Sequence, residues 1–266
     1  MKKVSFIIGA YNSSKRLDKV LDSILAQTYT NFEVVICDDF SIDKTWDVLK
    51  KYKEKYPNIF KILRNEKSLS HGGTLNRCLE NATGDYIARM DDDDICYPYR
   101  LAKQVEFLEM HKDIDCVGSY MDIFDGEKVI SQRKAILNPS LDTLLKGGYP
   151  FHHPTIMIRA NVIRALNGYQ NTKETLRCED LDLWYRFFIA GYKGANLDIP
   201  LLRYNESVED YNKRKISNLS TAVKLRKYYR KKLKANPLYD LIYLKTLVMA
   251  LFPNKFRHYV KTKFKY

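Results

Sequence analysis

The sequence predicts an α/β fold built on a mixed, mostly parallel sheet. Short apolar runs rich in β-branched residues alternate with stretches of helical pattern, which is the rhythm of βαβ units. The unusual polar residues also fall directly after the apolar runs, where ligands bind outside the carboxyl ends of strands in an open α/β sheet.

The elements follow in order. Val4-Ser5-Phe6-Ile7-Ile8 predicts the first strand, and a helical pattern follows over 14–27. Phe32-Glu33-Val34-Val35-Ile36, ending at Cys37, predicts the second strand, and Ser41 is placed to cap a helix over 44–56. Further strands are predicted over 60–63, 86–90, 116–121 and 155–159, and further helices over 73–81, 100–111 and 179–190. There is no internal repeat and no low-complexity linker.

Composition limits the function classes. With 266 residues, 45% hydrophobic and 29% charged, the chain can bury one large core without staples, and disorder is excluded for most of it. The five cysteines are an odd number without a Cys-x-x-Cys pair, which points to a reduced cytosol. The amino-terminal apolar run is too short for a signal peptide, so nothing directs secretion. From 213 to 266 there are 16 Lys and Arg against one acid, Asp240, leaving 29 basic and 31 acidic residues in 1–212. The net charge of +13 therefore sits in the tail, and the chain divides into a main domain over 1–210 and a basic helical segment over 211–266 that either associates with a membrane or packs on the main domain as a closing segment. Such a segment suits nucleic acid, an anionic membrane or an acidic partner, and charge alone does not choose among them.

Three loops carry chemistry. Asp91-Asp92-Asp93-Asp94 follows a strand, and four adjacent carboxylates repel unless they are solvated or neutralised by cations. A hard divalent ion would relieve that repulsion and bridge to a diphosphate, while a solvated acidic turn is the plainer alternative. Asp38 and Asp39 end another strand, where a carboxylate either shapes a turn or accepts a hydrogen bond from a base or ribose. Glu179-Asp180-Leu181-Asp182-Leu183-Trp184 opens a helix. Acids there complement the helix dipole, yet a carboxylate beside an aromatic residue also gains the basicity of a general base. His152 and His153 lack a third ligand at zinc spacing and, with Trp184, are candidates to line a substrate cleft. His71-Gly72-Gly73 stands before a helix whose N-terminus could receive phosphate, without the Lys and spacing of a P-loop.

Together these residues resemble family 2 glycosyltransferases of the GT-A (Rossmann-like) nucleotide-sugar-binding fold, most closely those of bacterial capsule and exopolysaccharide synthesis. The resemblance runs over 4–204. It rests on the first strand with Tyr11-Asn12, Ser23-Ile24-Leu25-Ala26-Gln27-Thr28, the second strand with Asp38-Asp39, and Gly84-Asp85-Tyr86-Ile87-Ala88-Arg89-Met90-Asp91 leading to Pro98 and Arg100-Leu101. His153-Pro154-Thr155 and Glu179-Asp180 complete it.

The resemblance implies that Asp39 contacts the nucleotide base and that Ala10, Tyr11 and Asn12 line its pocket, with Asn76 also on the donor side. Asp91 to Asp93 match the Asp-x-Asp site, with Asp92 toward the ribose and Asp93, with Asp91, toward Mn²⁺ or Mg²⁺. Here an Asp stands where relatives often carry Ala or Gly between the two acids. Asp180 matches the catalytic base, with Glu179 beside it. The implied reaction is an inverting single displacement from a UDP-sugar donor to a polyprenyl-linked or other glycan acceptor, at the inner face of a bacterial membrane. Two rivals stand beside it: a regulatory module that binds nucleotide sugars without turnover, and a nucleic-acid arm in the tail. The residues carry no nucleic-acid motif.

Overall fold

Strand β1 (Val4–Ala10) carries the two-sided burial that a central parallel strand requires. Val4, Phe6, Ile8 and Ala10 face one core cluster and Ile7 faces the other. In a computed structural model describing residues 1–206 and 216–250, β1 is flanked by β2 (Phe32–Asp38) and β4 (Tyr86–Arg89), both parallel to it. β3 (Phe60–Arg64) extends the parallel part beyond β2. The far half is mixed. β8 (Met157–Arg159) runs antiparallel to β4 and to β6 (Cys116–Phe124), and β9 (Gly194–Asn205) runs parallel to β6. β5 (Ile95–Cys96) pairs antiparallel with β9, and β7 (Val129–Arg133) with β6.

One face is covered by α1 (Leu17–Leu25), α2 (Thr45–Lys55) and α4 (Arg100–Met110), whose buried Leu17, Leu49 and Leu101 meet the even-numbered residues of β1. The other is covered by α3 (Ser70–Asn81), α6 (Ala160–Ala165) and α7 (Glu179–Ile189), with α5 (Leu141–Leu145) beside them. α8 (Ile216–Lys232) places Ala222, Leu225 and Tyr229 in this second cluster, and α9 (Tyr239–Ala250) folds back against α8 through the bidentate Arg230–Asp240 pair at 2.9 and 3.0 Å. The basic segment thus packs on the sheet domain as far as it is described. The expected boundary at 210/211 and the residues from 251 on, Phe256 included, lie outside the described residues.

Several predicted elements shift for local reasons. α1 begins at Leu17 rather than 14, because Ser14 gives its amide and hydroxyl to Asp43 at 3.1 and 2.7 Å. Asp43, not Ser41, serves the start of α2, accepting Thr45 N at 2.9 Å, while Ser41 Oγ accepts Asn12 N at 3.0 Å. His71-Gly72-Gly73 lies inside the first turn of α3 rather than before it. Pro154 and Thr155 form a 3₁₀ turn (His153–Thr155), so the strand predicted over 155–159 starts at Met157.

Two motif residues prove architectural. Gln27 accepts Leu101 N at 3.0 Å and donates to Tyr97 O at 2.8 Å, tying α1 to α4. Arg100 is fully buried and donates to Arg89 O at 2.7 Å and Ile156 O at 3.3 Å, locking α4 to β4 and the start of β8.

Candidate active site

The carboxyl ends of β1, β2 and β4 converge. Asp39 N donates to Ala10 O at 2.8 Å, and Tyr11 N donates to Asp92 Oδ2 at 3.0 Å, so three loops share one rim. Ala10 is buried and lends its backbone, whereas the Tyr11 ring is exposed. Asn12 sits at a φ of 49° and accepts Ile42 N at 3.0 Å, fixing the loop after β1.

Asp39 is clamped at the floor of this rim. It accepts Asn65 Nδ2 at 2.6 Å, Leu69 N at 2.8 Å and Ser68 Oγ at 2.8 Å. Burial pushes its carboxyl up, but the Leu69 amide, Asn65 and Ser68 overcome that and leave it below the ordinary aspartate range. Thr74 also acts on it as a donor, so the chain itself holds this carboxylate from several sides. Asp38 instead accepts Ser41 N at 3.1 Å and pairs with Arg64 at 3.1 Å, which makes it a turn residue.

The four aspartates separate by environment. Asp91 is held by a bidentate pair with the buried Arg89, whose Nη2 also meets His71 Nε2 at 2.9 Å. Asp93 faces Arg16 at 3.5 Å. Asp94 is fully buried and accepts Asn205 N at 3.0 Å, with its other oxygen unpartnered. Burial and the charges of Asp91 and Asp93 push Asp94 well above the carboxylate range, and burial pushes Asp92 up as well. The two arginines face Asp91 and Asp93, and the upward push on Asp92 and Asp94 shows that further negative charge on this loop is costly without a cation. The loop's hard oxygen donors suit Mn²⁺ or Mg²⁺, with Asp91, Asp92 and Asp93 partly exposed and Asp94 turned inward. Among the described residues no cluster of three His, Cys, Asp or Glu side chains is preformed, so diphosphate and water oxygens would complete such a shell.

Opposite stands the N-terminus of α7. Glu179 is buried against Gly72, where an added Cβ would lie 2.9 Å from Glu179 Cγ. Asp180 is partly exposed and accepts Leu181 N at 2.7 Å. Burial raises its pKa, while the charges of Arg89 and Arg226 oppose the rise. Asp182 is structural, accepting Arg186 Nε and Tyr229 Oη, each at 2.6 Å. A cavity of about 730 Å³ opens on this Asp182 side, between the 170–175 loop and α8; Glu174 lines it with Asp182, whereas Asp39, Asp91–Asp94, Glu179 and Asp180 do not.

Three candidates change role. Trp184 is fully buried against Phe151 and His153, so it supports the cleft wall from behind and cannot line it. Asn76 uses both amide groups on the Tyr169 backbone, at 2.8 and 2.9 Å, so it braces α3 and does not face a donor. His152 meets Lys134 O at 3.1 Å, on a different side from His153, whose Nε2 meets Tyr169 Oη at 3.1 Å. Sequence reasoning assigned no role to Arg89, Asn65, Ser68 or Tyr169. Arg89 was the readable one, since it stands two positions before Asp91 and so on the same face of an extended chain.

A model of glycosyl transferase family 2 matches residues 5–166. This chain belongs to that family. It is 41% identical over 255 residues to Bacillus subtilis (strain 168) EpsE, designated a glycosyltransferase, covering 94% of this chain and 90% of EpsE. It is also 31% identical over 216 residues to the amylovoran biosynthesis glycosyltransferase AmsE of Erwinia amylovora, covering 79% of each. Among solved structures, S. aureus TarS 1-349 in complex with UDP aligns with a TM-score of 0.66 at 22% identity, over 84% of this chain and 65% of that one. The mannosyltransferase PcManGT from Pyrobaculum calidifontis, in complex with GDP-Man and Mn²⁺, aligns at 0.67 and 17% identity over 93% of this chain and 70% of that one. The fold is GT-A, and the protein is a family 2 glycosyltransferase.

Proposed function

We propose that this glycosyltransferase moves a sugar from a UDP-sugar to a lipid-linked surface glycan with inversion at the anomeric carbon. The observation that carries it is that the first turn of α3 joins two carboxylate sets, His71 meeting the Arg89 that pairs with Asp91 and Gly72 packing against Glu179 beside Asp180. The Asp39 and Asp91–Asp93 loops lie at the strand ends, and Asp180 lies at the start of α7, joined to them by the field of Arg89.

On this reading Asp39 accepts a hydrogen bond from the uracil ring and Asp92, held by Tyr11 N, faces the ribose. Asp91 and Asp93 would hold Mn²⁺ or Mg²⁺, which when bound would supply Lewis-acid stabilisation of the departing diphosphate. Asp180 takes the proton of an acceptor hydroxyl, whose oxygen forms the new bond to the anomeric carbon as the bond to the diphosphate breaks and its electron pair leaves with the nucleotide. Glu179, buried and unpartnered at Oε1, keeps that end of the cleft acidic. Holding the two substrates in line supplies the entropic part of the rate.

Membrane-surface attachment completes the reading. α9 exposes Leu241, Ile242 and Leu244, and the turn before it exposes Leu238, close in the chain to the exposed Lys231, Lys232 and Lys234 that end α8 and begin the connecting turn, a pairing suited to an anionic interface. No helix among the described residues is long and apolar enough to cross a membrane.

The test is a thermal-shift series of UDP-sugars with and without Mn²⁺. A donor at a hundred times its dissociation constant stabilises by about 2.7 kcal/mol. We expect stabilisation that requires the metal and is lost in Asp93→Asn, which keeps the shape and removes the charge. Equal stabilisation without metal, or in the variant, would remove the metal from this site.

A further inference from the structure

The segment from α5 to the 3₁₀ turn passes the N-terminal end of α7 and there presents Tyr149, 53% exposed. Its neighbourhood is rigid. Phe151, two residues on, is buried and packs on Trp184 with ring centroids 4.5 Å apart, and Trp184 lies one turn after Asp180 on the same helix face. The loop is thus fixed to the face of α7 that carries the proposed base.

Arg226 reaches this loop from α8. Its guanidinium lies 5.1 Å over the Tyr149 ring and 5.9 Å over that of Tyr243, and it donates to Leu144 O at 2.6 Å and Gly148 O at 3.1 Å. Arg226 is 5% exposed, so a cation has been taken out of water to hold a tyrosine that itself stays open. Tyr149 stands two residues before Phe151, and Trp184 one turn after Asp180, so the Phe151–Trp184 contact brings the Tyr149 loop to the Asp180 end of α7, in keeping with the upward push of the Asp180 charge on the Tyr149 pKa. An exposed, rigid ring next to a base suits a pyranose, whose C–H groups meet the negative face of the ring while its hydroxyls stay free.

We propose that Tyr149 is the platform on which a pyranose of the acceptor stacks to bring its hydroxyl to Asp180, and that Arg226 is the positioning residue that holds this platform. The proposal rests on the reading of Asp180 as the acceptor-side base. It brings α8 into the active site.

The experiment uses saturation-transfer NMR on the full chain with UDP and Mn²⁺, probing methyl glycosides of glucose, galactose and N-acetylglucosamine. Wild type should saturate the ring C–H protons of at least one glycoside. Tyr149→Leu, which keeps apolar bulk without a π face, should cut that signal about fivefold, and Tyr149→Phe should keep it. Arg226→Lys, which retains charge but not the two-carbonyl grip, should weaken it while the UDP-dependent thermal shift stays that of wild type. Full signal in Tyr149→Leu, or no signal from any glycoside in a wild type that binds UDP, would overturn the platform. Absence of UDP stabilisation in wild type would instead overturn the donor reading, and the glycoside signals of the variants would still judge Tyr149.

Discussion

Asp180 and Asp182 stand two positions apart on α7 and meet opposite fates. Asp182 is saturated by Arg186 and Tyr229, whereas Asp180 keeps a partly exposed carboxylate whose recorded donor is the neighbouring Leu181 amide. A base must be ionised to act, so activity should rise with pH through the Asp180 pKa. Burial raises that pKa against the opposing charges of Arg89 and Arg226, with Tyr149, Tyr169, Cys178 and Glu179 also facing the group. The acid limb of kcat should therefore lie above the roughly 3.9 of a free aspartate. Asp180→Asn should lower kcat by about 10² to 10⁴ with UDP binding intact. A limb at or below the free value, or unchanged kcat in the variant, would take Asp180 out of the chemistry.

At the scale of elements, the parallel strands are locked at their N-terminal ends by Glu33. It accepts Lys3 Nζ at 2.7 Å, Ser5 Oγ at 2.6 Å, and Thr83 N and Oγ1 at 2.7 and 2.9 Å, so β1, β2 and the turn before β4 share one carboxylate. Burial pushes its pKa up, yet Lys3, Ser5 and Thr83 outweigh burial and bring it from 4.5 down to about 2. A depressed folded-state pKa gives stability that is present above the unfolded value and lost as pH falls through the folded one. Glu33→Gln should thus cost at most about 3 kcal/mol at neutral pH, and the gap should close between about pH 4.5 and 2. Urea unfolding across that range measures it, and a pH-independent gap would assign the cost to packing instead. Sequence reading missed β5, β7, α5, α6 and β9, of which β9 is the longest. Gly194, Asp198 and Pro200 interrupt its pattern, and the register against β6 shifts beside Pro200. A strand that survives a proline through tertiary pairing leaves no periodic signal.

For the whole molecule, the C-terminal helices are part of the core and not an appended arm. Tyr229 is buried on Asp182, Arg226 on the α5 carbonyls, and Tyr243 donates to Leu145 O at 2.7 Å. A chain ending at Glu206 should therefore melt at least about 5 °C lower, because it uncovers Tyr185 and the α5–α7 surface. An unchanged melting temperature would restore the separate-segment reading. The membrane role needs the intact fold to be tested, so point substitutions serve better than truncation. The full chain should co-sediment with anionic but not neutral liposomes and be released by salt, and Lys231→Glu with Lys232→Glu and Lys234→Glu should abolish the difference. Equal sedimentation with neutral lipid would remove the electrostatic attachment.

The sequence by itself determined the family, the α/β class and the loops that hold Asp39, Asp91–Asp94 and Glu179-Asp180, because strand-end carboxylates and apolar runs are local patterns. Only the tertiary structure decided which carboxylates are already spoken for. Asn205 on Asp94, and Tyr229 with Arg186 on Asp182, are partners up to 111 residues away in the chain. It likewise put Trp184 behind the cleft and Arg226 beside it. Burial and long-range pairing set the free energy of a charge, and neither is written in the spacing of residues along a segment.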